Sequence, residues 1–176
     1  MYKLKLLIPL AFILPSCTSL WEKQSSVKDE LNGIVVKIVD GDTFDLLTKE
    51  NTTIRIRMNS IDCPEKKQDY YQVAKDALAT YILKKDVQLI TFGKDRYGRV
   101  LANAFSNGQN INLAMVRDGY AWHYKKYSSD TAFAKAENEA RAAKRGLWQM
   151  ANPIVPWDYR HKLAAYNQQP VLSQRK

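Results

Sequence analysis

Histidine and cysteine are nearly absent from this sequence, with two of each among its 176 residues. Two cysteines cannot form an all-cysteine zinc site, and a mixed tetrahedral site would have to recruit Cys17, Cys63, His123 and His161 together. A catalytic centre in this chain must therefore be built mainly from carboxylates and arginines.

Acidic residues are outnumbered as well, by 27 lysines and arginines to 18 aspartates and glutamates, so the formal net charge is +9. This balance excludes an acidic solvating chain and favours a polyanionic partner. Glycine and proline are also few, at 7 and 6, while 45% of residues are hydrophobic and 11% aromatic. We therefore expect one folded domain with a substantial core, not a disordered or repetitive chain.

The sequence has no apolar run long enough to cross a bilayer, and its most apolar stretch is Leu6 to Leu14, after Lys3 and Lys5. This pattern predicts a signal peptide over residues 1–16. The following Leu-Pro-Ser-Cys resembles a bacterial lipobox, which implies a lipid on Cys17 and a membrane-anchored lipoprotein of the cell envelope. Cleavage without lipidation, giving a secreted or periplasmic protein, and an uncleaved segment are the alternatives.

The rest of the chain divides into three parts. Residues 17–31 are polar and charged and predict a tether, residues 32–150 carry the domain, and residues 151–176 contain three prolines and predict an extended tail. If Cys17 is lipidated, Cys63 is the only remaining thiol and no intramolecular disulfide can form.

Within the domain, short β-branched or alternating runs give way to segments with helical spacing of apolar residues. Five short strands with a helix after the third predict an α+β fold, a five-stranded OB-fold β-barrel with three helices. Asn107-Gly108 predicts a turn, and Ser129 or Asp130 and Gly146 predict the caps of the last helix. The predicted strands are 34–39, 43–47, 53–58, 87–92 and 100–105, and the predicted helices are 69–85, 112–119 and 131–145.

Side chains that can carry chemistry fall at three breaks between these elements: residues 40–43 (Asp-Gly-Asp-Thr), 57–65 and 95–99 (Asp-Arg-Tyr-Gly-Arg). Each alone can be read as an ordinary turn or strand end. Arg57 and Asp62 lie an odd number of residues apart, so they can converge only if the chain twists or loops near Asp62, which Pro64 favours. An EF-hand is excluded because Phe44, Asp45 and Asn51 occupy positions that it needs for other residues.

Together the three breaks supply what metal-assisted phosphodiester hydrolysis requires. Carboxylates can bind a hard cation and take a proton from water, and guanidinium groups can grip phosphate oxygens. No histidine is needed for this chemistry. The combination predicts a phosphodiesterase.

The ordered motifs Asp-Gly-Asp-Thr, Arg-x-x-x-Ile-Asp-x-Pro-Glu and Asp-x-Tyr-Gly-Arg resemble the thermonuclease (staphylococcal nuclease-like) family. The resemblance covers about Gly33 to Trp148, where residues 112–121 and 146–148 also match. It implies an OB barrel, a Ca2+ cofactor, and hydrolysis of single- and double-stranded DNA and RNA that breaks the P–O5′ bond and leaves 3′-phosphate ends.

The resemblance also implies roles for the acidic residues. Asp42 and Asp62 would be side-chain Ca2+ ligands, and the backbone carbonyl of Cys63 would complete the protein's share. Asp40 would be a neighbour of these ligands, and Glu65 would act as the general base or orient the attacking water.

Among the remaining matched residues, Arg57 would contact the scissile phosphate and Arg99 would stabilise the charge that develops on the phosphoryl group and leaving oxygen. Tyr97 would lie near the 3′-side phosphate.

Substrate contacts outside the motifs are expected at Tyr124, Lys125 and Tyr127. The tyrosines would be platforms for base stacking, or else packed surface residues, and Lys125 would contact phosphate. His123 and His161 receive no role. Residues 156–160 are expected to dock on the barrel by aromatic burial without contributing chemistry.

Two other functions remain open at this stage: a non-catalytic OB-fold module that binds nucleic acid, and an adhesive lipoprotein that uses its charge on anionic polymers. Neither has a need for Asp42, Asp62, Glu65, Arg57 and Arg99 together. The sequence therefore favours a nuclease, without an obligate protein partner and with membrane contact only through the lipid on Cys17.

Overall fold

A computed structural model of the protein describes residues 30–167. The predicted signal peptide, the lipidation site at Cys17 and most of the tether lie outside the described residues. The elements, in chain order, are β1 (Glu30–Asp40), β2 (Thr43–Thr48), β3 (Thr53–Met58), β4 (Ile61–Asp62), α1 (Tyr71–Ile82), β5 (Asp86–Lys94), β6 (Val100–Ser106), β7 (Gln109–Asn110), α2 (Ile111–Arg117), β8 (Trp122–His123), α3 (Thr131–Ala142), a 3-10 turn (Gly146–Gln149) and α4 (Pro156–Asn167).

The five longer strands form a closed barrel in the order β3-β2-β1-β5-β6. Neighbouring strands run antiparallel, and β3 closes the barrel by pairing parallel to β6, with Arg57 opposite Leu101. Irregular register at two places in β1 bends this strand, so that it pairs with β2 along one part and with β5 along another. The α+β class and the five-stranded barrel predicted from the sequence are confirmed.

Alternation along the strands places one side-chain set inside the barrel, as a period of two requires. Phe44, Leu46, Ile56 and Leu89 are fully buried there. Helices α1 and α2 contribute further apolar side chains to the same core, among them Leu78, Ile82 and Met115.

The helix boundaries are set by identifiable caps. Asp130 begins α3 by accepting a hydrogen bond from the backbone N–H of Ala132 at 2.8 Å, as predicted. α3 ends at Ala142, three residues before the predicted end, because Lys144 just beyond the cap adopts a positive φ of 50°. Gly146, predicted as the cap, instead begins the 3-10 turn. The turn at Asn107-Gly108 is confirmed, since it joins the paired strands β6 and β7.

Two predictions about the ends of the domain were wrong. The segment expected to be an extended tail contains the helix α4, so the described residues hold four α-helices instead of three. Pro156 is compatible with this helix because it occupies the first position, where no backbone N–H is needed. The predicted tether also ends too late, because Glu30 and Leu31 already pair with β5. Within residues 30–167, no helix has the length and apolar character that a bilayer crossing requires.

Candidate active site

The first break in the sequence is a tight hairpin between β1 and β2. It buries the carboxylate of Asp42, which accepts hydrogen bonds from the Thr43 hydroxyl and from the backbone N–H of Cys63, each at 3.0 Å. Gly41 allows this approach, since a Cβ here would lie 2.9 Å from the Cβ of Cys63 and 3.0 Å from that of Ala74. The hairpin is therefore packed directly against the loop that carries Asp62.

The second break reverses direction just after β3. Asn59 and Ser60 form the reversal, Ser60 with a positive φ of 66°, and β4 then pairs with β8. This lets the side chains of Arg57 and Asp62 face each other despite their odd spacing. The reversal precedes Pro64, which the sequence analysis had named as the residue favouring the loop.

Buried Asn112 on α2 holds this reversal in place, although no motif analysis singled it out for a structural role. Its side-chain amide donates to the carbonyls of Asn59 at 2.9 Å and Ala102 at 3.1 Å, and its carbonyl accepts from the N–H of Ala104 at 2.9 Å. One side chain thus joins α2, β6 and the turn that positions Arg57 and Asp62.

Arg57 is the centre of the buried charge cluster. Its Nη2 lies 3.0 Å from a carboxylate oxygen of Asp42 and 3.0 Å from one of Asp62, and its Nη1 donates to the carbonyls of Met58 and Ile61 at 2.5 and 2.9 Å. Burial lowers the pKa of Arg57, but the charges of Asp42 and Asp62 outweigh burial, so the net shift is upward. The guanidinium is fixed in direction and permanently charged.

Burial dominates the acidic groups around Arg57. It raises the pKa of Asp62 to about 6, against the opposing hydrogen bond from Arg160. It also raises the pKa of Asp40 to about 7, helped by the charge of Asp42. Burial therefore disfavours the ionised form of these carboxylates, and a cation bound beside them would stabilise that form.

The buried carboxylate oxygens of Asp42 and Asp62 match the chemistry that Ca2+ selects, because Ca2+ binds carboxylate and carbonyl oxygens. Asp42, Asp62 and Cys63, the predicted ligand residues, do lie together. Across residues 30–167, however, no three His, Cys, Asp or Glu side chains are arranged as a ready-made metal cluster. A cation here would need carbonyl or water oxygens as well, and the carboxylate of Asp62 would have to be freed from Arg160.

The third break places Arg99 beside the hairpin. Asp95 fixes it by accepting from its Nε at 2.7 Å and from its backbone N–H at 3.0 Å, and its Nη1 reaches the Thr43 hydroxyl at 3.5 Å. The ring of Tyr97 is 69% exposed and lies 5.6 Å from the Arg99 guanidinium. Arg99 therefore lies beside Thr43, whose hydroxyl donates to Asp42, and the exposed ring of Tyr97 lies next to it.

Glu65 is engaged by a residue to which the sequence analysis gave no chemical role. Arg160 of α4 donates from Nη1 to Glu65 Oε1, from Nη2 to Asp62 Oδ2 at 2.8 Å, and from Nη1 to Asp62 Oδ1 at 3.3 Å. The expectation that residues 156–160 dock without touching the chemistry was therefore wrong for Arg160. No sequence signal could have found this contact, because 98 residues separate the two partners.

The predicted stacking residues lie beside β8. Tyr124 and Tyr127 contact each other edge to face at 4.8 Å, and Trp157 of α4 stacks parallel on Tyr124 at 5.3 Å with an interplanar angle of 2°. Lys125 forms an ion pair at 3.0 Å with Glu137, a nearly fully buried residue of α3. The prediction that this segment docks by aromatic contact is confirmed for Trp157. Lys125 is paired with Glu137 but its side chain is still 63% exposed, and its contact with phosphate stays a prediction.

Comparison with known proteins agrees with this geometry. The family model described as "Staphylococcal nuclease homologue" matches residues 55–150, more than half of the chain. The chain belongs to this family, which confirms the resemblance seen in the sequence.

Three bacterial proteins that are similar to this chain carry nuclease names. An "Uncharacterized endonuclease" of Escherichia coli is 42% identical over 76% of this chain and 87% of its own length. An "Uncharacterized endonuclease" of Haemophilus influenzae is 47% identical over 73% of this chain and 72% of its own. A "Micrococcal nuclease" of Shigella flexneri is 38% identical over 74% of this chain and 81% of its own.

Proposed function

We propose that this protein is a Ca2+-dependent endonuclease that hydrolyses the phosphodiester bonds of DNA and RNA with little sequence specificity and leaves 3′-phosphate ends. The observation that carries the proposal is the convergence of Asp42 and Asp62 on Arg57, with Arg99 beside the Asp42 hairpin. Glu65 lies next to this group, since Arg160 contacts both Glu65 and Asp62. Family membership and the nuclease names of the relatives support it.

The roles follow from position and exposure. Glu65 is about one third exposed, so a water molecule can reach its carboxylate, which would orient that water and take its proton. Arg57 is held by two carboxylates and two carbonyls, so its direction is set before substrate arrives. Arg99 would stabilise charge on the phosphoryl group and on the leaving oxygen.

Asp42, Asp62 and the carbonyl of Cys63 would hold Ca2+. When bound, the cation would polarise the scissile phosphate and offset its charge. The residues themselves supply the hard oxygen donors, and Arg57 keeps the two carboxylates close together when no cation is present.

Low sequence specificity is expected because the proposed catalytic groups address phosphate and not base edges. Tyr97, Tyr124 and Tyr127 offer aromatic faces, which every base can stack on, and the excess of basic residues attracts the backbone of either nucleic acid. None of these groups recognises a 2′-hydroxyl, so we expect both DNA and RNA to be cleaved.

The test is digestion of single-stranded DNA and RNA by the full-length chain, with Ca2+ or with excess EGTA, followed by analysis of the product ends. Glu65→Gln is compared with Glu139→Gln, a matched change on the exposed surface of α3. We expect Ca2+-dependent cleavage to 3′-phosphates, a rate reduced by about 100-fold or more in Glu65→Gln, and little change in Glu139→Gln.

Tight binding of nucleic acid by folded protein without Ca2+-dependent cleavage would instead support the non-catalytic OB-fold binding module. Cleavage that leaves 5′-phosphate ends would contradict the proposed bond. Cleavage unaffected by Glu65→Gln would contradict the role of this carboxylate.

We also propose that the protein is exported and anchored in the cell envelope through a lipid on Cys17. The support is the sequence pattern of Lys3 and Lys5, the apolar run over residues 6–14 and the following cysteine. Metabolic labelling with a radioactive fatty acid should mark the wild-type protein and not Cys17→Ser. Label on neither protein, with the protein found outside the cytoplasm, would favour cleaved secretion.

A further inference from the structure

The helix α4 contacts two parts of the proposed site at once. Arg160 reaches Asp62 and Glu65, the carboxylates proposed to bind the cation and to activate water. Because Arg160 contacts both oxygens of Asp62, this carboxylate cannot ligate a cation freely while α4 is docked. The positively charged guanidinium of Arg160 therefore lies beside Asp62, where a divalent cation would bind.

The second contact covers the proposed platform for bases. Trp157 lies parallel on Tyr124, with an interplanar angle of 2° and ring centres 5.3 Å apart. This is the arrangement in which a nucleobase stacks on a tyrosine, and no base can insert between two rings already in contact. Trp157 and Arg160 lie three residues apart, so both project from the same side of α4.

The ion pairs and ring contacts described for α4 come from Trp157 and Arg160, near the start of the helix. The chain before it is fixed by the Gln68 side chain, which donates to the Ile154 carbonyl at 2.6 Å, and Val155 and Trp157 pack against a small cluster around Trp122 and Trp148. Residues 161–165 are all exposed. The barrel core contains no residue of α4, so the helix can leave without opening the barrel.

We propose that α4 is an intramolecular inhibitor of this site, in which Arg160 holds the place of the cation and Trp157 the place of a nucleobase, and which Ca2+ and single-stranded nucleic acid displace together. This inference rests on the proposed function above. It predicts an equilibrium between a docked state and an open state, and only the open state binds the cation with full affinity.

The expected change in Ca2+ affinity follows from the populations of the docked and open states. Hydrogen bonds to charged groups favour the docked state by a factor of about ten or more, and the apparent dissociation constant for Ca2+ rises by the same factor. Removing the Arg160 contacts should therefore tighten Ca2+ binding by about tenfold. Because docking opposes binding without changing the chemistry, cleavage rates at saturating Ca2+ and substrate should converge.

The first test is calorimetric titration of the full-length chain with Ca2+ in the absence of nucleic acid. Arg160→Gln is compared with Lys162→Gln, which removes one positive charge from an exposed position on the same helix. We expect about tenfold tighter binding for Arg160→Gln and wild-type affinity for Lys162→Gln. Unchanged or weaker binding in Arg160→Gln would overturn the inhibitor and make Arg160 a support of the site.

The second test concerns Trp157. Binding of a fluorescent single-stranded oligonucleotide is measured by anisotropy with Ca2+ present, in an Arg99→Gln background that slows cleavage and leaves the Arg160 contacts in place. Trp157→Ala should bind more tightly than the background protein, and Leu163→Ala, an exposed apolar residue of α4, should not. Weaker binding in Trp157→Ala would mean that Trp157 itself stacks on substrate, which contradicts the inhibitor.

The outcomes separate this inference from the proposed function. Tighter Ca2+ binding in Arg160→Gln without cleavage by any variant would leave the inhibitor standing and reject the nuclease. Ca2+-dependent cleavage that reaches half its maximal rate at the same Ca2+ concentration in all variants would support the nuclease and reject the inhibitor. Absence of Ca2+ binding in every variant would reject both.

Discussion

Substitution of Arg57 should destabilise the protein far more than substitution of Arg55, although both lie on β3 and both pair with aspartate. Arg55 binds Asp45 through two contacts of 2.8 and 3.1 Å, and Arg57 lies 3.0 Å from each of two aspartates. Distance alone thus predicts similar costs. Burial separates them, because the Arg57 side chain is 11% exposed and that of Arg55 is 50% exposed.

The magnitudes can be estimated from that difference. Arg55→Gln breaks a solvent-screened pair and should cost less than about 1 kcal/mol. Arg57→Gln leaves Asp42 buried without a cationic partner and frees the carbonyls of Met58 and Ile61, so a cost of about 3 to 5 kcal/mol is expected. Asp62 limits the loss, since Arg160 still pairs with it.

The assay is equilibrium unfolding in urea at neutral pH with a chelator present, using variants whose slopes with urea match that of the wild type. A second step adds Asp42→Asn to Arg57→Gln, which removes the stranded charge and should recover part of the lost stability. Equal costs for Arg55→Gln and Arg57→Gln would refute the reasoning, as would a double variant less stable than Arg57→Gln alone.

Three smaller effects can be checked in the same way. Asn112→Ala should lose about 2 to 3 kcal/mol in urea unfolding, since three buried hydrogen bonds disappear; a loss within error of zero would contradict its role at the turn. Hydrogen bonds from Arg117 lower the pKa of Asp118, so Asp118→Asn should cost up to about 1 kcal/mol at neutral pH, a difference that fades as the pH falls below about 4 and that melting curves at pH 7 and pH 3 would show. Gly119→Ala should lower the melting temperature markedly, because φ is 79° and the new Cβ would lie 2.3 Å from the carbonyl oxygen of Arg145; an unchanged melting temperature would contradict this close approach.

Patterns that repeat within a few residues predicted most of the barrel. Residues 53–58 alternate with period two and form β3 over the predicted bounds, and β2, β5 and β6 differ from prediction by no more than two residues at either end. The two-residue strands β4, β7 and β8 were not predicted, because two residues carry no periodicity. The pairing of β4 with β8 depends on where the barrel places them.

The motifs predicted which residues would meet, but not how they are held. Asp42, Arg57 and Asp62 do converge, and Arg99 lies next to them. The reversal at Asn59-Ser60 has no glycine or proline to mark it, since Ser60 supplies the positive φ itself. Local turn chemistry therefore could not show why an odd spacing brings two side chains together.

The helix α4 shows a different limit. Pro153 and Pro156 predict extended chain, whereas Pro156 in fact occupies the first position of the helix. The segment after Pro156 has no clear apolar stripe, and His161 to Ala165 are all exposed. The spacing of its apolar residues therefore does not predict a helix. Its effect on the site comes through single side chains and not through a packed face.

The two arginines that contact Asp62 are supplied in different ways, and this difference bears on how the site can change state. Arg57 comes from a barrel strand and is hydrogen-bonded to backbone carbonyls of the adjoining turn, so it cannot leave while the barrel is folded. Arg160 comes from an appended helix, and its side chain is 40% exposed. Because the Asp62 side chain is only 2% exposed and shares Arg57 with Asp42, losing Arg160 would leave a buried carboxylate in need of positive charge. A cation that binds Asp62 would meet this need, so release of α4 and uptake of a cation should favour each other.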